Sequence, residues 1–257
     1  MERTKILSLR GVELGSGIPK ICVPIVEERE EEILAVAAAI KETPADLVEW
    51  RCDFYEGIHD RDRTERLLEE LRTVLEETPL IFTSRTKEEG GSAKESISLE
   101  EYGQITLHAA GTGLVDVVDM ELRMGQELAD ALLTVGREQN CRLLLSSHDF
   151  SDTPSYDDMK CRYEKMEGWG ADILKLAVMP HSTQDLLRLL QVCNEVSKAS
   201  THPVVGISMG SIGLESRILG EAFGSAMTFG CLGKASAPGQ MDVHTLAQML
   251  TAIHQAH

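Results

Sequence analysis

A (β/α)8 barrel, the TIM barrel of the α/β class, preceded by a short N-terminal β-hairpin, is the fold that this sequence predicts, and three observations carry the prediction. The chain is 257 residues long, a common size for a single eight-fold α/β barrel. Short apolar segments rich in Val, Ile and Leu alternate eight times with longer helix-like ones, and that alternation implies parallel βαβ units. The first strand, Cys22-Val-Pro-Ile-Val-Glu27, carries no glycine fingerprint, which disfavours a doubly wound nucleotide-binding sheet. No linker or low-complexity stretch interrupts the pattern, so residues 1–257 read as one domain.

Composition narrows the function classes. Apolar residues are 42% and charged residues 26% of the chain, ordinary for a folded soluble protein. No apolar run approaches the roughly 18 residues of a membrane span, and residues 1–10 lack the apolar core of a signal peptide, so the cytoplasm is the expected compartment. A formal net charge of −17 argues against a nucleic-acid groove. An acidic chain that binds an anion must gather its few cations in one cleft. Cys22, Cys52, Cys141, Cys161, Cys193 and Cys231 form no CxxC pair and no metal-ligand spacing. They read as small thiols in a reducing compartment, with a nucleophilic role for Cys22 or Cys52 left open.

In chain order, the hairpin runs from Lys5 to Leu9 and returns through Val12 to the Gly15-Ser-Gly17 turn. Strands are expected over 21–26, 47–53, 80–85, 117–122, 142–148, 173–179, 204–209 and 226–232. Helices are expected over 30–41, 62–76, 99–110, 125–138, 156–167, 183–198, 214–223 and 243–254. The acidic run Glu27-Glu-Arg-Glu-Glu-Glu32 suits the positive end of the first helix dipole and reads as a solvated first turn rather than a cation site. In such a barrel the chemistry sits at the C-terminal ends of the strands, which turns the topology into a search list.

The second strand ends Glu49-Trp-Arg-Cys-Asp53, and period-two alternation puts Glu49, Arg51 and Asp53 on one face. Three charges facing a barrel interior must pair with each other or hold something polar. After the third strand, Arg85 is placed as a ligand for an anion or carbonyl, with Glu89 and the Gly90-Gly91 turn behind it. The fifth strand ends at His148, either a hydrogen-bonded rim residue or a proton shuttle. The sixth, within Ala171 to Pro180, is apolar but for Lys175. That lysine either snorkels to solvent or is a buried amine of lowered proton affinity, able to attack a carbonyl at neutral pH. The seventh leads to Ser208-Met-Gly-Ser-Ile-Gly213 and Arg217, a glycine-rich turn suited to phosphate or an arginine suited to carboxylate. The eighth leads to a small-residue loop, 233–240, in which Ser236 and Gln240 offer hydrogen bonds to a hydroxylated ligand if the loop closes.

Assembled, these segments closely resemble the type I 3-dehydroquinate dehydratase family along nearly the whole chain. The likeness rests on Gly17-Ile-Pro-Lys-Ile-Cys-Val-Pro24, Glu49-Trp-Arg-Cys-Asp53, Arg85 through Glu89-Gly-Gly, Ser147-His-Asp-Phe150 and Leu174-Lys-Leu-Ala-Val-Met-Pro180. It extends to Ser208-Met-Gly210 with Arg217, and to Phe223-Gly-Ser through Ala235-Ser-Ala-Pro-Gly-Gln240. The resemblance implies a cofactor-free hydro-lyase of the shikimate route to chorismate and the aromatic amino acids, with 3-dehydroquinate as substrate and no metal. It makes Lys175 the Schiff-base lysine, His148 the general acid/base and Glu89 the carboxylate that orients it. Glu49, Arg51, Arg85, Arg217, Ser236 and Gln240 become substrate ligands, with the carboxylate given to Arg217 and Arg85 assisting. It also implies a homodimer. Pro24 departs from a ligand-contacting serine in some relatives, and Ile207 from a methionine. Two competing functions are a class I aldolase or transaldolase, which has a phosphate to hold, and a non-catalytic barrel that binds a polyhydroxylated acid.

Overall fold

The computed structural model describes residues 6–92 and 97–256. Two short antiparallel strands, β1 (Leu7–Leu9) and β2 (Val12–Leu14), form the N-terminal hairpin. Lys5, where the sequence places its start, lies outside the described residues. Eight parallel strands follow: β3 (Lys20–Ile25), β4 (Leu47–Arg51), β5 (Leu80–Thr83), β6 (Val117–Glu121), β7 (Arg142–Asp149), β8 (Ile173–Val178), β9 (Val204–Ser208) and β10 (Met227–Phe229). Their spatial order, β10-β3-β4-β5-β6-β7-β8-β9, follows the chain and brings its two ends together. The Ala226 N–H donates to the Val204 carbonyl at 2.7 Å and completes the ring beside β9. The helices around it are α1 (Glu30–Lys41), α2 (Arg61–Leu75), α3 (Leu99–Gly111), α4 (Gln126–Gln139), α5 (Tyr156–Gly168), α6 (Thr183–Ala199), α7 (Leu214–Ile218), α8 (Gly220–Phe223) and α9 (Val243–Ala256).

The strands are apolar on both faces because one face fills the barrel and the other lies under helices. Cys22, Ile81, Val117, Leu144, Ile173, Val205 and Met227 fill the interior, and Leu9 and Leu14 of the hairpin join the same cluster. The hairpin therefore plugs the N-terminal mouth, each buried leucine contributing roughly 2 kcal/mol. Outside the sheet, Trp50 meets Phe82 edge-on with ring centroids 5.5 Å apart. Local chemistry starts the helices: Asp60, Ser98 and Ser155 accept the N–H of Arg63, Glu101 and Asp158, and Ser182 with Asp185 forms a capping box on α6.

Four elements end differently from expectation. The strands β4 and β5 stop two residues early, because the Arg85 N–H donates to Asp53 Oδ1 (3.2 Å) rather than to a neighbouring strand. The last strand covers only Met227–Phe229. The helix expected over 214–223 is two short helices, bent at Leu219. Gly220 packs tightly there: a Cβ on it would lie 2.9 Å from the Pro19 ring and 3.2 Å from the Ser225 carbonyl oxygen.

Candidate active site

At the C-terminal mouth, Lys175, His148, Glu89, Glu49, Arg51, Arg85, Arg217, Ser236 and Gln240 line one cavity of about 460 Å³. The nine residues that the family resemblance implies are thus brought to the same place, with Phe150, Ile207, Met209 and Phe229 as apolar wall, whereas Asp53, Cys22 and Cys52 do not line it.

Lys175 does not snorkel; it is 5% exposed. Its Nζ donates to Asp119 Oδ2 at 3.1 Å, lies 3.7 Å from Glu49 Oε1, and stands 4.5 Å from the Phe229 ring centroid. Glu49 is held in turn by the Thr83 hydroxyl (2.9 Å). His148 is the penultimate residue of β7, and a single oxygen of Glu89 accepts its backbone N–H (2.9 Å) and lies 3.0 Å from its Nδ1. With Glu89 ionised, that contact places the imidazole proton on Nδ1 and leaves Nε2 as the free base. Burial, with the positive charges of Arg85 and Lys175 adding to it, pushes His148 well below its ordinary pKa. Burial and the nearby Glu121 charge raise Glu89 to about 7. Near neutral pH the imidazole is therefore unprotonated beside a carboxyl close to its own midpoint.

The three arginines are held differently. Arg51 makes a bidentate pair with Asp53 at 2.8 and 2.9 Å. Arg85 donates to Asp119 (2.7 Å), Ser146 (2.9 Å) and Glu121 (3.4 Å). Arg217 is 1% exposed, yet among the described residues its guanidinium reaches only the carbonyls of Phe229 (3.4 Å) and Pro238 (3.0 Å), and its Nε has no partner there. Burial without a carboxylate lowers its pKa to about 10. Among the described residues it is the cation of this cavity that has no acid of its own, and an anionic ligand would supply one.

The loop 233–240 lies over the mouth. Pro238 accepts from both Arg217 and the Gly210 N–H (3.1 Å), while Ser236 and Gln240 satisfy each other through two hydrogen bonds of 2.8 and 2.9 Å. Lys234 pairs with Glu27 across the rim. The glycine-rich turn before α7 is folded on itself: a Cβ on Gly213 would meet the Ser208 carbonyl at 2.3 Å. Sequence reasoning missed Asp119, Glu121 and Ser146, which form the buried floor beneath Lys175 and Arg85. The signal was present in Val117-Val-Asp-Met-Glu121, two acids at period two in an apolar strand, as in the Glu49 segment.

A family model described as type I 3-dehydroquinase matches residues 21–257. The chain is 41% identical over 247 residues to a 3-dehydroquinate dehydratase of Listeria monocytogenes serotype 4b, covering 96% of this chain and 97% of that one. It is 42% identical over 252 residues to a 3-dehydroquinate dehydratase of Clostridium botulinum, covering 98% of each. A crystal structure of the type I 3-dehydroquinate dehydratase of Clostridium difficile with covalently modified comenic acid matches over 100% of both chains, with a TM-score of 0.95 and 36% identity. On sequence and fold together, the chain belongs to the type I 3-dehydroquinase family.

Proposed function

We propose that this cavity converts 3-dehydroquinate to 3-dehydroshikimate and water through an imine on Lys175. As a family member the chain is a 3-dehydroquinate dehydratase, a lyase of class EC 4.2.1.10. The observation that carries the finer reading is the buried amine of Lys175 sharing one cavity with the unprotonated His148 and the acid-free Arg217. The Lys175 amine attacks the C3 ketone, His148 relays the protons, and loss of water leaves a cationic imine. The imine makes the C2 proton acidic. His148 removes it, the electron pair forms the C2=C3 enamine, and the C1 hydroxyl then departs as water with a proton from His148. That step forms C1=C2 and restores the cationic imine, and its hydrolysis frees the lysine and the product.

Arg217 takes the substrate carboxylate, while Arg85, already paired with two acids, holds the wall. Glu49, Arg51, Ser236 and Gln240 face the same space and suit a polyhydroxylated ring. The self-packed Gly213 turn, with the Gly210 N–H given to Pro238, offers no phosphate cradle and so disfavours an aldolase. We place the reaction in the shikimate route to chorismate, in the cytoplasm, in a homodimeric single-domain barrel needing no metal or cofactor. Among the described residues no helix is long and apolar enough to cross a membrane.

The product is a conjugated enone and the substrate is not, so ultraviolet absorbance follows turnover directly. Wild type should generate the enone and Lys175→Met should lose about 10⁴-fold or more of the rate. Binding of 3-dehydroquinate by folded wild type with no absorbance change would favour the non-catalytic barrel.

A further inference from the structure

Adjacent strands place Asp119 on β6, Ser146 on β7 and Lys175 on β8 side by side inside the barrel, with Ser146 and Lys175 in direct register. Asp119 is fully buried, and each of its oxygens is fixed. Ser146 Oγ donates to Oδ1 at 2.5 Å, while Oδ2 accepts from Arg85 Nη2 at 2.7 Å and from Lys175 Nζ at 3.1 Å. Arg85 does not need this carboxylate alone, since Glu121 also pairs with it. For Lys175, Asp119 is the nearer of its two acids, with the Phe229 ring also in contact with the amine. A rigid carboxylate below the amine fixes its direction toward the cavity.

We propose that Asp119 positions the Lys175 amine for attack and supplies the fixed negative charge against which the cationic imine forms. The inference rests on the imine reading above. In that step one N–C bond forms and the C–O bond breaks. The carbonyl oxygen leaves as water, taking one proton from the nitrogen and one from the acid, so a neutral amine becomes a cation. A buried anion already in place stabilises that charge without reorganisation. The surrounding ionisable groups are Cys22 from β3, Glu49 from β4, Arg85 and Glu89 after β5, Tyr102 from α3, Glu121 from β6 and His148 from β7. Although burial pushes Asp119 up, Arg85 and then Lys175 more than offset it and hold it ionised, well below the usual carboxylate range.

The test is Asp119→Asn, which keeps the shape and removes the charge, assayed for kcat, KM and pH dependence with 3-dehydroquinate. The expected result is a fall in kcat of about 100-fold with KM within about three-fold. The acidic limb of kcat/KM should also move to lower pH by about one unit, because the Asp119 anion favours protonated His148 and the substitution removes that effect. A kcat within about three-fold of wild type overturns the proposal. So does a loss of kcat with an unmoved acidic limb, which marks a merely structural residue. Wild type is the control for the reading beneath it: if wild type itself fails to turn over, that reading falls, whatever the variant does. Should Asp119→Asn not fold, Ser146→Ala frees one carboxylate oxygen and retains the charge. It must lower kcat by about five-fold or more at unchanged KM, and an unchanged kcat overturns the proposal.

Discussion

Lys175 and Arg217 are both buried cations, but the protein treats them in opposite ways. The amine sits over two carboxylates, whereas the guanidinium is left to backbone carbonyls and has an orphaned Nε. Such an arginine costs the empty protein stability, and on the proposed reading the ligand supplies its counter-ion. Arg217→Met should therefore raise KM about 30-fold or more, yet leave the ligand-free protein at least as stable by urea unfolding. The Glu89–His148 pair sets a pH signature. Glu89 binds its proton more tightly folded, at about 7, than at its ordinary 4.5. Its stabilising contribution is full below the lower value and is lost as pH rises through the higher one. His148, lowered, contributes above its ordinary 6.5 and loses that contribution as pH falls below it. Glu89→Gln should thus abolish up to about 3 kcal/mol of stability loss between pH 5 and pH 8, measured by urea melts at both. At this scale the sequence was legible wherever a charge interrupted an apolar strand. It was not legible in what each charge pairs with: Arg85 looks like a free ligand until Asp119 and Glu121 are seen beside it.

Among the elements, the loop 233–240 links binding to the rest of the cavity. Gly239 adopts φ +79°, and a Cβ there would lie 2.5 Å from the Gly210 carbonyl, so only glycine lets the loop seat on the turn before α7. Gly239→Ala should lift the loop, raising KM about ten-fold with a change in melting temperature of no more than about 3 °C, since the loop lies outside the barrel core. The eight strand positions were readable from apolar runs of the right length, and most helices from their alternation with the strands. Strand ends were not, because side-chain capture decides them, as when Asp53 takes the Arg85 and Ser92 amides. The bend at Leu219 was equally hidden, since it depends on Pro19 and Ser225 arriving from elsewhere in the chain.

For the whole molecule, strand–helix alternation without a nucleotide fingerprint was enough to specify a closed barrel, and closure is what gathers residues from the ends of β4, β7, β8 and the segments after β5, β9 and β10 into one cavity. The hairpin was visible in sequence, but its role as a plug was not, because three-residue strands carry no sign of what Leu9 and Leu14 cover. On the proposed reading, a chain of charge −17 takes an anionic substrate through one interior cation that has no acid among the described residues, rather than through a basic surface. The central claim is a covalent imine on Lys175, and it is tested most directly by incubating the protein with 3-dehydroquinate and borohydride, then mapping the peptides by mass spectrometry. The account predicts a reduced adduct on the peptide that carries Lys175, absent from Lys175→Met. Folded wild type that binds the compound and leaves Lys175 unmodified would contradict it.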